Sequence, residues 1–133
     1  MSESLSVLIV DDNPPMAIAM RDILALKGYQ AYTANSGVEA LEIMRDHPVD
    51  ILLTDVKMPG MNGVELCRET RKEHPNITGI LMTAYSADDL IQQGKAEGIK
   101  TVLTKPVDIN FLLAYLSVAK RPIKIADGQV LWR

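Results

Sequence analysis

The chain has 133 residues, of which 47% are hydrophobic, and a formal net charge of −3. This length and composition fit one domain with a buried core and argue against disorder and against a general nucleic-acid-binding surface. A single cysteine excludes an internal disulfide framework and a cysteine-based zinc site. Without a signal-peptide pattern or a run of roughly 18 apolar residues, we expect a cytoplasmic protein that does not enter a membrane.

Four short runs of the sequence are continuously apolar, which is typical of parallel strands covered on both faces. They are SVLIV at 6–10, ILLT at 51–54, GILMT at 79–83 and TVLT at 101–104. A fifth candidate strand, QAYTA at 30–34, alternates between polar and apolar residues, so we place it at an edge of the sheet.

A helix-like segment follows each predicted strand. The first predicted helix starts at Asp12-Asn13-Pro14 and ends near Gly28. The second starts at Asn35-Ser36-Gly37, the third at Asn62 and the fifth at Asp108. The fourth runs from about residue 87 to about residue 97. Helical spacing puts several side chains on a shared face in each later helix. These are Val38, Leu41 and Met44 in the second, Leu66, Cys67 and Thr70 in the third, Leu90, Ile91 and Gly94 in the fourth, and Ile109, Leu112, Leu113 and Leu116 in the fifth.

Strand followed by helix, five times over, predicts an α/β protein with a doubly wound, flavodoxin-like three-layer sandwich. Its parallel five-stranded sheet would have the order 2-1-3-4-5. The alternation stops near residue 119. We therefore assign 1–119 to one domain and 120–133 to a linker or a short hairpin around Asp127-Gly128, which in a longer protein would lead to a further domain.

Polar side chains stand at the carboxyl ends of the predicted strands. Asp11 and Asp12 follow the first strand, Asp55 the third, Thr83 closes the fourth and Lys105 follows the fifth. In an open parallel sheet, ligands bind beyond these ends, where the strand order reverses between the first and third strands. Each residue also has an ordinary interpretation, as a helix cap, a turn aspartate, a strand threonine or a solvated lysine. Their coincidence at one edge favours a functional site.

The residue types of this set suit phosphoryl chemistry. Three crowded carboxylates repel one another unless a cation neutralises them, and Mg²⁺ prefers oxygen ligands of this kind. Lys105 supplies a positive charge and Thr83 a hydroxyl donor for phosphoryl oxygens. Because a carboxylate can act as a nucleophile, the set predicts Mg²⁺-assisted formation of an aspartyl phosphate.

Four motifs, in order and at the expected spacing, resemble the receiver domain of two-component response regulators, in the CheY-like superfamily. They are VDD at 10–12, DVKMPGMNG at 55–63, TA at 83–84 and KP at 105–106. The resemblance covers about residues 5–118. It implies a signalling module rather than an enzyme, one that catalyses only its own phosphorylation and dephosphorylation. The phosphoryl group would come from a sensor histidine kinase or a phosphotransfer protein, and the module would control an output domain or a target protein.

The resemblance implies which residues hold the phosphoryl group and the metal. Asp55 would be the phosphoacceptor. Asp12, Asp55 and the backbone carbonyl of Lys57 would bind Mg²⁺ directly, and Asp11 would act through a water molecule.

The resemblance also implies how the site responds. Thr83 and Lys105 would contact the phosphoryl group, and Thr83 would move on phosphorylation and draw the loop after the fourth strand inward. The Lys105–Pro106 peptide bond is expected to be cis. Val102 occupies a position where many family members carry a switching aromatic residue, which argues against a rotating-aromatic mechanism here.

Two further residues lie close to the predicted reaction. Lys57 and Tyr85 lie two positions after the acceptor and the threonine, respectively. One hypothesis is that both crowd the path of the attacking water and lengthen the lifetime of the aspartyl phosphate. The alternative is that both are ordinary surface residues.

The fifth helix carries a second apolar stripe, formed by Phe111, Tyr115 and Val118 at i, i+4 and i+7. A helix that covers one face of a sheet needs only one such stripe. Together with Val102, the stripe predicts an output face on helix 4, strand 5 and helix 5 that binds a partner or forms a homodimer. The alternative is that the apolar residues at 130–132 fold back over it.

Three other function classes fit the sequence less well. Aspartate-nucleophile phosphatases carry a second aspartate two positions after the first, where this chain has Lys57. A flavin or dinucleotide carrier needs a glycine-rich or Ser/Thr-rich phosphate loop, where this chain has the acidic DDNPP at 11–15. A receiver-like binding module that is never phosphorylated would have no need of the complete set of acids, hydroxyl and lysine.

Overall fold

The structure, a computed structural model, describes residues 5–84, 92, 94–95, 99–118, 123–124 and 130–131. Five parallel strands form one sheet in the order β2-β1-β3-β4-β5. The strands are β1 (Ser6–Val10), β2 (Gln30–Ala34), β3 (Ile51–Asp55), β4 (Thr78–Thr83) and β5 (Thr101–Thr104). The predicted doubly wound fold, its strand order and the edge position of residues 30–34 are confirmed.

Burial along the strands follows their place in the sheet. β1 and β3 lie at the centre and are buried along their whole length, because helices cover both faces. β2 lies at an edge, and only its last residue, Ala34, is buried. The continuously apolar runs that form β1, β3 and β4 lie in the interior of the sheet, as predicted. The prediction was wrong for the run at β5, which lies at the other edge of the sheet and has only Leu103 buried.

Three helices begin at the predicted polar caps. They are α1 (Pro14–Leu26), α2 (Gly37–Asp46) and α3 (Gly63–Glu73). The side chains of Asn13, Ser36 and Asn62 accept hydrogen bonds from backbone N–H groups in the first turn of α1, α2 and α3, respectively. Because Asn13 caps α1, Asp12 is not used as a cap and its carboxylate is available to the site.

The core has two halves, one on each side of the sheet. On one side, α1 and the C-terminal helix (Ile109–Val118) pack Leu24, Leu112 and Leu116 against alternate strand residues such as Ile9 and Leu53. On the other side, α2 and α3 pack against the intervening strand residues, with the buried set Ala40, Met44, Val64, Leu66 and Cys67. This is the predicted three-layer arrangement.

The predicted inward face of α2 was partly wrong. Gly37, Ala40 and Met44 are its buried residues, whereas the side chain of Val38 is 60% exposed. Residues 37, 40 and 44 follow the helical period of 3.6, and residue 38 lies about 100° around the helix from residue 37. The inward face thus carries small residues at 37 and 40, and a Cβ on Gly37 would lie 2.8 Å from Sδ of Met61. A larger apolar residue, Val38, was mistaken for the inward one.

The predicted inward faces of α3 and the C-terminal helix agree with the structure. In α3, Leu66, Cys67 and Thr70 are all buried, as predicted. In the C-terminal helix, Leu112 and Leu116 are buried, and Ile109 and Leu113 are partly buried. Most of the predicted fourth helix, including Leu90 and Ile91, lies outside the described residues, but residues 92 and 94–95 are helical and Gly94 is buried.

Two short strands follow the C-terminal helix. Residues Ile123–Lys124 (β6) pair antiparallel with Val130–Leu131 (β7), in the register Ile123 to Leu131. This pairing is what the predicted hairpin requires, although Asp127-Gly128 and Trp132 lie outside the described residues. Within the described part of the chain, no helix has the length and apolar character needed to cross a membrane.

Candidate functional site

The register of the central strands brings the acidic residues together. Val10 pairs with Thr54, so the residues that come next, Asp11 and Asp55, meet at the same edge of the sheet. Asp11, Asp12 and Asp55 each contribute one carboxylate oxygen, and these three oxygens lie within 4.8 Å of one another. Asp11 is 3% exposed and Asp55 is 8% exposed, whereas Asp12 is exposed. The structure thus forms an acid pocket, defined here as Asp11, Asp12 and Asp55.

Lys105 binds two carboxylates of this pocket. Its Nζ donates to Oδ2 of Asp11 at 2.7 Å and to Oδ2 of Asp55 at 3.0 Å. The peptide N–H of Lys105 also donates to the carbonyl oxygen of Thr83 at 2.7 Å, and the Lys105–Pro106 bond is cis, as expected. The interpretation of Lys105 as an ordinary solvated lysine is wrong, since its side chain is only 20% exposed.

The electrostatics of the pocket oppose ionisation of Asp55. Burial raises the pKa of Asp55, and the neighbouring charges of Asp11 and Asp12 raise it further, while the hydrogen bond and charge of Lys105 lower it; the net shift is upward. Burial lowers the pKa of Lys105, but its hydrogen bonds to Asp11 and Asp55 outweigh this and the net shift is upward. Lys105 therefore does not fully offset the burial of Asp55 and the repulsion from its two neighbouring acids.

This surplus of negative charge fits a hard divalent cation. Mg²⁺ takes carboxylate oxygens as ligands and keeps water in its other positions, which suits a pocket with two buried acids and one exposed acid. Among the described residues, this is the only group of three or more acidic, histidine or cysteine side chains that converge in this way. The acid pocket is therefore able to bind a metal ion.

The loop after Asp55 depends on a close approach at Gly63. The peptide N–H of Gly63 donates to the carbonyl oxygen of Val56 at 2.8 Å, which closes the loop from β3 to α3. A Cβ atom on Gly63 would overlap the carbonyl oxygen of Asp55 and would lie 3.2 Å from Cγ2 of Thr54. Only glycine fits here without displacement of the strand end that carries Asp55.

Sequence reasoning missed Asn35. Its side-chain amide donates from Nδ2 to the carbonyl oxygen of Asp11 at 3.0 Å. The available signal was its position, because Asn35 follows β2 directly and β2 pairs with β1 at the same edge of the sheet. From the sequence, Asn35 was assigned only to the start of the second helix.

Family comparison agrees with this geometry. Residues 7–117 match the response regulator receiver domain family. The chain belongs to this family. It is therefore a CheY-like receiver domain of two-component signalling, as the motifs indicated.

The receiver domain is similar to proteins with different architectures. It is 38% identical over 104 residues to sporulation initiation phosphotransferase F of Bacillus subtilis, covering 78% of this chain and 84% of that protein. It is 32% identical over 128 residues to the transcriptional regulatory protein ZraR of Klebsiella oxytoca, covering 96% of this chain but only 29% of that protein. A CheY-like receiver domain structure from Methanospirillum hungatei superposes with a TM-score of 0.82 at 27% identity, covering 86% of this chain and 92% of that one.

The other site residues predicted from the sequence differ in burial. Thr83 is 5% exposed at the end of β4, and Lys57 is exposed in the loop after Asp55. Tyr85 lies outside the described residues. On the predicted output face, Phe111 and Val118 are 52% and 60% exposed, while Val102 and Tyr115 are partly buried.

Proposed function

We propose that this receiver domain accepts a phosphoryl group on Asp55 from the phosphohistidine of a sensor histidine kinase or a phosphotransfer protein, with Mg²⁺ in the acid pocket. The observation that carries the proposal is the convergence of three carboxylates and Lys105 at the carboxyl ends of β1, β3 and β5. It combines a nucleophile, metal ligands and a phosphate-binding cation in one place.

The reaction assigned to Asp55 is a direct displacement. A carboxylate oxygen of Asp55 forms a bond to phosphorus while the P–N bond of the phosphohistidine breaks, and the electron pair of that bond returns to the imidazole nitrogen. Asp12, Asp55 and the carbonyl of Lys57 would hold Mg²⁺, with Asp11 acting through water. The ion supplies positive charge that offsets both the acids and the phosphoryl oxygens.

The ion pairs of Lys105 support a role for it in this reaction. Its Nζ lies 3.0 Å from the Asp55 oxygen and 2.7 Å from Asp11. When Asp55 becomes an acyl phosphate, Lys105 would keep its hydrogen bond to Asp11 and turn its remaining donors to a phosphoryl oxygen. Thr83, at the end of the neighbouring strand β4, offers a hydroxyl to another phosphoryl oxygen.

Output would follow from a shift of the surface around β5. In this proposal Thr83 moves toward the phosphoryl group, the loop after β4 follows it, and the face that includes Val102, Phe111, Tyr115 and Val118 changes its affinity for a partner. The exposure of Phe111 and Val118 supports this role. The partner is an output domain, a target protein or a second copy of the chain. Residues 120–133, which follow the receiver domain of residues 1–119, would act as a linker or a short hairpin that leads to an output domain where the partner is one.

Lys57 and Tyr85 would set the lifetime of the phosphorylated state. The exposed Lys57 follows the acceptor by two positions, and in this proposal its side chain crowds the path of the attacking water. We expect faster loss of phosphate in Lys57→Ala and Tyr85→Ala than in the wild type, timed after removal of the donor. Equal or slower loss in both variants would assign the two residues to the ordinary surface.

A small-molecule acyl phosphate tests the main proposal. The wild type, Asp55→Asn and the control Asp46→Asn, an exposed acid of α2, are incubated with the donor, with and without Mg²⁺, and weighed by intact mass spectrometry. We expect one added phosphoryl group in the wild type and in the control, only with Mg²⁺, and none in Asp55→Asn. Equal labelling of the wild type and Asp55→Asn would refute the assignment.

A further inference from the structure

We propose that Asn35 is a positioning residue that orients the peptide group between Asp11 and Asp12 and thereby sets the affinity of the acid pocket for a divalent cation. This inference rests on the proposed function, because it assumes that the pocket binds Mg²⁺. It adds to the site a residue that does not itself touch the metal or the phosphoryl group.

The end of β2 holds both backbone groups of Asp11. The peptide N–H of Asp11 donates to the carbonyl oxygen of Ala34 at 3.1 Å, as in a continued strand ladder. The carbonyl oxygen of Asp11 has left that ladder and accepts instead from Nδ2 of Asn35 at 3.0 Å. The side chain of Asn35 thus replaces the backbone partner that a further strand residue would provide.

This hydrogen bond determines the direction in which Asp12 leaves the strand. The carbonyl of Asp11 belongs to the planar peptide group that joins it to Asp12, so a fixed carbonyl fixes that plane. The carboxylate of Asp11 is held directly, since it accepts hydrogen bonds from the N–H of Asn13 at 3.0 Å and from Nζ of Lys105 at 2.7 Å. Asp12 is exposed, and the orientation of its backbone is what aims its carboxylate at the pocket.

Asn35 is itself part of an anchored turn. Its peptide N–H donates to Oε2 of Glu39 at 3.3 Å, and the hydroxyl of Ser36 accepts from the N–H of Glu39 at 3.1 Å at the start of α2. Two residues on, Gly37 lies against the loop of Asp55, because a Cβ at Gly37 would lie 2.8 Å from Sδ of Met61. The turn at 35–37 therefore touches the end of β1 through Asn35 and the loop that follows Asp55 through Gly37.

Cation titrations test the inference without reference to catalysis. Mg²⁺ binding is measured by calorimetry, and Mn²⁺ binding by the loss of the free-ion paramagnetic resonance signal, for the wild type, Asn35→Ala and Ser36→Ala. We expect Asn35→Ala to weaken binding about tenfold, the effect typical of a group that orients a metal ligand. Ser36→Ala is the matched control, because it removes the cap of α2 but leaves the hydrogen bond to Asp11 in place.

The outcomes separate this inference from the proposed function. A wild type that binds neither cation would contradict the proposed metal site itself. A wild type that binds, with Asn35→Ala unchanged or weakened no more than Ser36→Ala, would overturn the role of Asn35 alone. In acyl phosphate labelling, Asn35→Ala should need about tenfold more Mg²⁺ for half-maximal rate and should keep the maximal rate. If Asn35→Ala does not fold, Asn35→Ser removes the same amide and carries the same expectation.

Discussion

Lys105 and Asp11 lie 94 residues apart in the chain, yet the ammonium of Lys105 donates to the Asp11 carboxylate at 2.7 Å. The same ammonium also donates a hydrogen bond to the carboxylate of Asp55. We expect Lys105→Met to lower the free energy of unfolding in the absence of metal by about 2 kcal/mol, because two buried acids would then face each other without a cation. Urea unfolding measures this loss, and saturating Mg²⁺ should restore more stability to the variant than it adds to the wild type.

A surface ion pair provides the control for Lys105. Lys72 lies 2.9 Å from Glu69, but the two side chains are 64% and 41% exposed. Solvent screens this pair, so Lys72→Met should change the free energy of unfolding by less than about 0.5 kcal/mol. Equal losses in Lys72→Met and Lys105→Met would mean that the pocket gains nothing specific from Lys105.

The pKa of Asp55 predicts a pH-dependent difference between the wild type and Asp55→Asn. Burial raises this pKa in the folded protein above its ordinary value of 3.8. At pH values between the ordinary pKa and the raised pKa, the folded protein therefore binds more protons than the unfolded chain. Ionisation of Asp55 therefore lowers stability as pH rises through that window. Without metal, Asp55→Asn should be the more stable protein at pH 7, and its advantage should disappear as pH falls through the raised pKa.

Urea midpoints measured from pH 7 downward test this expectation. Other carboxylates titrate over the same range, so the difference between the two proteins isolates Asp55. An Asp55→Asn variant that is less stable than the wild type at pH 7 would show that the hydrogen bond from Lys105 outweighs the cost of burial.

Mg²⁺ should stabilise the folded protein, because the three carboxylates converge only in the folded state. At a concentration a hundredfold above Kd, the free energy of unfolding should rise by about 2.7 kcal/mol. Asp12→Asn should show a smaller rise at the same concentration, since it removes one carboxylate of the pocket. The rise should also shrink toward acid pH, because protons compete with the metal for Asp55. Thermal unfolding at several Mg²⁺ concentrations measures all three effects.

Gly63 sets a steric condition on the position of Asp55. Gly63→Ala should cost about 3 kcal/mol or displace the strand end, because the new Cβ would overlap the carbonyl oxygen of Asp55. Gly60→Ala in the same loop is the control. There the added Cβ meets nothing within 4 Å and only the φ of 75° is unfavourable, which costs about 1 kcal/mol. Chemical denaturation ranks the two, and a Gly60→Ala loss as large as that of Gly63→Ala would argue against the overlap.

Two neighbouring apolar residues of the C-terminal helix, Phe111 and Leu112, differ strongly in burial. Leu112 is fully buried, so Leu112→Ala should cost about 3 kcal/mol. Phe111 is 52% exposed, so Phe111→Ser should change the free energy of unfolding by less than about 1 kcal/mol while weakening self-association or partner binding of the phosphorylated protein. Light scattering with and without an acyl phosphate measures association. A large loss of stability in Phe111→Ser would favour coverage of this stripe by the chain itself.

Periodicity and capping were sufficient to predict most of the fold. Continuous apolar runs identified the buried strands β1, β3 and β4 but also the edge strand β5, where only Leu103 is buried. The polar caps Asn13, Ser36 and Asn62 marked helix starts within a residue. The inward face of α2 was harder, because Gly37 and Ala40 are buried for their small size and Val38 is exposed. Hydrophobicity alone does not say which face of a helix can approach the sheet most closely.

The sequence by itself determined which chemical groups stand at the carboxyl ends of the strands, because a parallel sheet brings those ends to one edge whatever the details of packing. Only the tertiary structure decided how the groups meet: that Lys105 binds Asp11 and Asp55 together, that Asn35 holds the backbone of Asp11, and that Gly63 leaves room for Asp55. These contacts join segments far apart in the chain. Their geometry depends on how separate strands and loops pack against one another, which the local pattern of any one segment does not encode.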